Sequence, residues 1–184
     1  PRLAIDRSFA MSGFGTVVTG TLIDGSLTVG MEAEIVPSGK VSRIRGLQSH
    51  RQKIETASPG RRLAVNLSGV SHDEIQRGEV LTIPGWLRPT IALDVRLKLL
   101  ADAPRGLKHN SPVTFHIGAT ETVARVRLLE QDVVSPGEET WAQIRLEHPL
   151  ALVKGDYFVV RSSDATLGGG TVVDAYARRH RRRH

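Results

Sequence analysis

The chain has 184 residues, 40% hydrophobic and 24% charged, with 25 Lys and Arg against 19 Asp and Glu for a formal net charge of +6. That composition excludes a chain disordered throughout and, because domains hold roughly 100–150 residues, allows one large domain or two small ones. Cysteine is absent, which excludes disulfides, thiolate zinc sites and cysteine nucleophiles, and no apolar run approaches the roughly 20 residues of a membrane span or forms a signal-type core.

Eighteen glycines and nine prolines, with apolar residues at every second position, predict many short strands joined by turns. Leu3 and Ile5 alternate with Arg2, Ala4 and Asp6; Val17, Thr19, Thr21 and Ile23 alternate with Val18, Gly20 and Leu22; Glu32 and Glu34 oppose Ala33 and Ile35. Each run turns one row of side chains into a core and the other toward solvent or a partner. Pro37-Ser38-Gly39-Lys40 supplies a tight turn into Val41, Arg43 and Arg45, which makes a hairpin. Ser71-His72-Asp73-Glu74 has capping-box spacing and predicts one helical turn over 71–77, ended by Gly78.

Pro84-Gly85-Trp86-Leu87-Arg88-Pro89 interrupts strand pairing and predicts a boundary between two domains. Beyond it Ile91, Leu93, Val95, Leu97 and Leu99 make the clearest alternating run, and further strands are expected at 113–117, 122–129, 140–146, 157–161 and 171–173. Regular strands without long helices predict an all-β chain with a barrel or sandwich in each half; closed barrels are preferred because closure removes exposed edges.

Signatures of catalysis fail on inspection. Gly13-Phe14-Gly15-Thr16-Val17-Val18 has valine where a dinucleotide loop needs its third glycine, and a strand follows, so a bend in a barrel strand explains these glycines better. Gly168-Gly169-Gly170 fits close strand packing better than a ligand loop. No Walker phosphate loop occurs, and neither His109 and His116 nor His180 and His184 stand in a metal-ligand pattern. Glu138-Glu139 reads as a charged turn, and Asn66-Leu67-Ser68 fits a glycosylation acceptor only formally. No catalytic and no metal residue is assigned.

Positive charge is distributed unevenly. Arg43, Arg45, Arg51, Lys53, Arg61 and Arg62 concentrate in the first half, and Arg178, Arg179, Arg181, Arg182 and Arg183 crowd the end. Guanidinium groups that neutralise phosphates release counterions, so such clusters favour nucleic acid, RNA first, with salt-dependent affinity; a solvated charged face and a charged linker are the plain alternative. With eight aromatic residues, phosphate and shape contacts fit better than base stacking.

Pro1-Arg2-Leu3-Ala4-Ile5-Asp6-Arg7-Ser8-Phe9 followed by Gly13-Phe14-Gly15-Thr16-Val17-Val18-Thr19-Gly20-Thr21 resembles the opening of the second domain of tRNA-delivering translational GTPases. Gly25-Ser26-Leu27-Thr28-Val29-Gly30-Met31 resembles the turn after it, with Met31 where the family commonly carries aspartate, and Ile75-Gln76-Arg77-Gly78-Glu79-Val80-Leu81 resembles that domain's final strand. Ile5-Asp6-Arg7, Arg45-Gly46-Leu47-Gln48 and Gly168-Gly169-Gly170-Thr171-Val172-Val173-Asp174 before an Arg/His run are most similar to the selenocysteine-specific elongation factors (SelB). The resemblance implies an elongation factor domain-2-like β-barrel at 1–85, a domain-3-like β-barrel at 90–176 and a basic linker at 177–184. It also implies a GTPase domain, with its GTP and Mg²⁺, and an mRNA-hairpin-binding region that are not in these residues, so no cofactor and no GTP hydrolysis are expected here. The implied partners are selenocysteyl-tRNA, the GTPase domain, the ribosome and, through the absent region, the messenger hairpin. No membrane partner is expected, and the implied location is cytoplasmic.

By resemblance, Asp6, Arg7 and Arg62 match the positions that line the selenocysteyl pocket, Phe9 walls the aminoacyl-adenosine site, and Arg161, Thr166, Gly168 and Gly169 match a region that approaches the tRNA stem. A selenol is more acidic than a thiol and is largely ionised at neutral pH, whereas cysteine, with pKa about 8.5, is mostly protonated. Arg7 and Arg62 are therefore expected to partner the selenolate, with Asp6 orienting the arginines or receiving the aminoacyl ammonium. A unit charge pair at about 4 Å gains roughly 4 kcal/mol at an effective dielectric near 20 before desolvation, and half of that discriminates more than tenfold. Two other readings stay open: barrels that handle another aminoacyl-tRNA, and an architectural barrel pair that docks a GTPase domain without touching RNA.

Overall fold

The computed structural model describes residues 1–178; the remainder of the expected basic linker, residues 179–184, lies outside the described residues. Two compact units divide at Arg88 and Pro89.

The first unit is built from β1 (Arg2–Met11), β2 (Gly15–Asp24), β3 (Leu27–Thr28), β4 (Glu32–Val36), β5 (Lys40–Ser49), β6 (Gln52–Ile54), β7 (Thr56–Ala57), β8 (Arg62–Ser68) and β9 (Val80–Thr82). The order β4-β9-β1-β2-β8-β5 closes on itself through the β4–β5 hairpin, β6 extends β5, and β3 pairs with β7. Leu3, Ile5, Val18, Leu22, Leu63 and Val65 point into its core. On β8 the alternation is complete, with Leu63, Val65 and Leu67 buried and Arg62, Ala64 and Asn66 on the outer face.

Gly20 is required by close approach: a Cβ there would stand 2.0 Å from the Ala4 carbonyl oxygen. Immediately beyond, the β1–β2 register slips between Ile5 and Arg7, so Asp6 is the extra residue of a bulge. The expected helical turn over 71–77 is shorter, a single 3₁₀ turn at His72–Glu74 in which Glu74 accepts the Ser71 N–H at 3.0 Å; Ile75 is already extended because it enters the core. At Met31 the sulfur accepts the Thr28 N–H at 3.1 Å, filling with a weak acceptor the place where the resembling turns carry a carboxylate.

The second unit comprises β10 (Pro89–Leu99), β11 (Leu107–Lys108), β12 (Ser111–Ile117), β13 (Thr120–Leu128), β14 (Val133–Val134), β15 (Glu139–Ala151), β16 (Tyr157–Arg161) and β17 (Thr166–Asp174). The order β10-β15-β13-β12-β16-β17 closes as a barrel, with β11 and β14 paired beside it. Stacked Phe115 and Phe158, 5.1 Å apart at their centroids, sit in its core with Leu93, Leu97 and Ile144. The last strand begins at Thr166, earlier than the expected 171, because the glycine triplet belongs to it: Cβ atoms on Gly168, Gly169 and Gly170 would stand 2.2, 2.4 and 1.8 Å from the Lys98, Phe158 and Arg96 carbonyl oxygens. Both halves are thus closed β-barrels, and no helix of the described residues is long and apolar enough to cross a membrane.

Candidate functional site

The bulge re-aims Asp6 onto the outer face, half-buried with its side chain 24% exposed. Thr19 on β2 donates its hydroxyl to Asp6 Oδ1 at 2.9 Å, and Arg62 on β8 donates from both terminal nitrogens, Nη2 to Oδ1 at 3.0 Å and Nη1 to Oδ2. The Arg62 hydrogen bond is the main reason the Asp6 carboxyl titrates below the usual range; partial burial opposes it, and Thr19 and the charges of Arg62 and Arg77 assist. Asp6 in turn raises Arg62. The Arg62 side chain is 58% exposed, so the fork holds its geometry with little net stabilisation.

Arg7 lies on the same outer face, its guanidinium carbon 5.9 Å from the centroid of the Phe9 ring, within reach of a cation–π contact. Phe9 lines a cavity of about 220 Å³ with Met11, Phe14, Val17, Leu47 and Ile54, and Arg45, Gln48, Lys53, Glu55 and Asn66 supply its polar walls. Sheet register fixes how cavity and arginines relate. Phe9, Val17, Asn66 and Gly46 form one cross-strand row, Arg7, Thr19, Ala64 and Gln48 the next outward row, and Thr21 and Arg62 the one beyond. Successive outward rows are about 7 Å apart. An apolar cavity with polar walls, a lone guanidinium and a guanidinium–carboxylate fork therefore follow one another along one barrel face. Such a face can take a flat apolar ring at one end and an anion at the other.

Among comparisons with known proteins, residues 15–82 match the model described as elongation factor Tu domain 2, and residues 94–179 match the one described as selenocysteine-specific elongation factor, beta-barrel domain. The chain is 45% identical over 183 residues to the selenocysteine-specific elongation factor of Desulfomicrobium baculatum, and 34% identical over 185 residues to that of Haemophilus influenzae (strain ATCC 51907 / DSM 11121 / KW20 / Rd), each alignment covering 98% of this chain. The chain belongs to the selenocysteine-specific elongation factor family. It spans 29% of the length of these curated relatives. What matches is the pair of β-barrel domains, so these residues carry no GTPase domain.

Set against the family's expected site, Asp6 and Arg62 are brought into contact, and Arg7 and Phe9 are brought together one step along the face. In the second barrel Arg161 pairs with Thr166 at the end of the β16–β17 ladder, and both are exposed. Gly168 is buried, and neighbouring strands account for the missing side chains at Gly168 and Gly169. Two site residues carried no recognisable sequence signal. Arg77 sits close enough to act on the Asp6 carboxylate, from a turn whose Gly78 donates its N–H to the Ile5 carbonyl at 2.8 Å. Asn66 occupies an ordinary outward strand position, and only its register with Phe9 and Gly46 reveals it as cavity wall.

Proposed function

We propose that this chain is the tRNA-binding part of a selenocysteine-specific elongation factor, which delivers selenocysteyl-tRNA to the ribosome in the cytoplasm for recoding of UGA. Its first barrel would hold the charged end of the tRNA. The terminal nucleoside occupies the Phe9 cavity, and the aminoacyl group runs along the outer face toward Arg7 and the Asp6–Arg62 fork. The observation that carries this reading is the row order, which sets an apolar cavity, Arg7 and Arg62 in line at about 7 Å steps, a span suited to an esterified nucleoside and a short side chain.

Charge chemistry then selects the cargo. Asp6 orients Arg62 through its two terminal nitrogens, and a guanidinium has further N–H donors left for an anion. Arg7 and Arg62 set two guanidinium groups beside the single carboxylate of Asp6, so an ionised selenol is favoured over a protonated thiol or a hydroxyl. Because Arg62 is exposed, the attraction falls well below the roughly 4 kcal/mol of a dielectric near 20, toward the roughly 1.4 kcal/mol that gives tenfold selection. Exposed Arg161 and Thr166 of the second barrel face the tRNA stem in the same reading. GTP and Mg²⁺ belong to the GTPase domain, and the messenger hairpin to a further region; these residues hold no phosphate loop for a nucleotide.

The test is the salt dependence of tRNA binding. Phosphate and charge contacts give a negative slope of log affinity against log salt. Changing Arg161 to Ala is expected to reduce that slope by about one. Binding without a salt slope, and unaltered by Arg62→Ala, would favour the architectural barrel pair instead.

A further inference from the structure

We propose that Asn66 selects the base held in the Phe9 cavity, its carboxamide pairing with the amino edge of an adenine. The assignment rests on the reading of that cavity as the terminal-nucleoside site. Asn66 lies on the cavity wall, in the same cross-strand row as Phe9 with only Val17 between them. Its Oδ1 is buried and has no hydrogen-bond partner among the described residues. A buried amide oxygen left in that state is destabilising until a donor reaches it. Across the ladder from Asn66 stands Gly46, where an added Cβ would come no nearer than 3.9 Å, to the Asn66 Cβ, so the β5 residue paired with Asn66 brings no side chain against it.

The rest of the cavity suits a purine. Phe9, Val17 and Leu47 offer apolar surface to the ring faces, and a volume of about 220 Å³ leaves room for a bicyclic base. A carboxamide is the complement of adenine's edge, because its oxygen accepts from the amino group while its nitrogen donates to the adjacent ring nitrogen. A site built to hydrogen-bond an amino group rejects the analogue that lacks it, since its own acceptor is then left unpaired.

Binding of two synthetic acceptor-stem hairpin RNAs to the 184-residue chain tests this. Both carry the same amino acid in amide linkage; one ends in adenosine, the other in purine riboside, which lacks only the amino group. The unaltered protein is expected to prefer the adenosine end about tenfold, equivalent to about 1.4 kcal/mol. Asn66→Leu is expected to abolish the preference by weakening the adenosine-ended RNA more than the other, which loses only the donor to its ring nitrogen, with an unchanged urea-unfolding midpoint as evidence of folding. Equal affinity of the unaltered protein for both ends overturns the assignment, and that comparison needs no variant. If Phe9→Ala weakens both RNAs alike while the unaltered protein does not tell the ends apart, the cavity keeps its role and Asn66 loses it. If neither RNA responds to Phe9→Ala, the cavity is not the nucleoside site and both readings fall.

Discussion

Arg62 gives both of its terminal nitrogens to the carboxylate of Asp6, a residue 56 positions away that faces it only because β1 bulges there. The fork has two consequences. It fixes the plane of the guanidinium, and it offsets the charge of Arg62, so Arg7, which sits against the Phe9 ring, is the exposed guanidinium of the neighbouring row. Asp6 thus holds Arg62 in place, and Arg7 is the guanidinium in the row next to the cavity, over the Phe9 ring.

Acid titration reads the fork directly. Because the Asp6 carboxyl is depressed in the fold, its contribution is complete above the ordinary carboxylate pKa of about 3.9 and is lost as pH falls below that toward the depressed value. Asp6→Asn is expected to flatten that part of the stability profile while changing neutral-pH stability by less than about 1 kcal/mol, since Arg62 is exposed. Urea unfolding midpoints between pH 2 and 7 give both quantities; an unchanged acid limb contradicts the pairing.

The glycines separate packing from function. Gly20→Ala and Gly170→Ala drive a Cβ to 2.0 and 1.8 Å from the Ala4 and Arg96 carbonyl oxygens, and each is expected to lose about 3 kcal/mol or more. Gly46→Ala meets nothing closer than 3.9 Å and is expected to stay within about 0.5 kcal/mol of the parent. Equilibrium unfolding of the variants decides, and a Gly20→Ala protein as stable as Gly46→Ala would mean that the close approach of β1 to β2 is not needed.

Gln143 is fully buried on β15 and ties three segments together, donating to Asp94 at 3.2 Å and to the Arg178 carbonyl at 2.8 Å while accepting from Arg127 at 3.1 Å. Gln143→Leu removes these three hydrogen bonds and is expected to lose about 1–3 kcal/mol. It should also release the end of the barrel, where the Ala177 N–H is held by the Ala92 carbonyl at 3.1 Å. Hydrogen exchange at Ala177 is expected to accelerate more than exchange in the core strands; uniform acceleration would assign Gln143 to global stability alone.

Strand content was legible because core-facing residues recur at every second position: Leu93 to Leu99 and the β8 run both alternate as their side chains do in the barrels, whereas Ile91, at the register shift between Thr90 and Ala92, is 49% exposed. Strands of two or three residues, such as β3 and β11, are shorter than the period needs. The site was less legible. Nothing in alternation brings Asp6 to Arg62, because the contact depends on β2 lying between their strands and on a bulge whose only local trace is Gly20. Resemblance named that pair. It did not name Arg77, which acts from a turn, or Asn66, whose meaning appears only when Phe9 and Gly46 are placed in its row.

If the site selects charge, pH should retune it. Cysteine, at pKa about 8.5, is a few per cent ionised at pH 7 and roughly three-quarters ionised at pH 9. The preference for selenocysteyl- over cysteinyl-RNA is therefore expected to narrow across that interval, measured with amide-linked analogues that survive alkali, while seryl-RNA binding stays level. A constant selenocysteyl preference would point to size or polarizability as the selector.

The most direct measurement compares selenocysteyl-, cysteinyl- and seryl-tRNA binding at fixed salt by the intact factor and by its Arg7→Ala and Arg62→Ala variants. The expected result is a preference of about tenfold or more for selenocysteyl-tRNA that collapses in both variants through loss of that cargo alone. Equal weakening of all three cargoes would contradict selection of an ionised selenium by these arginines.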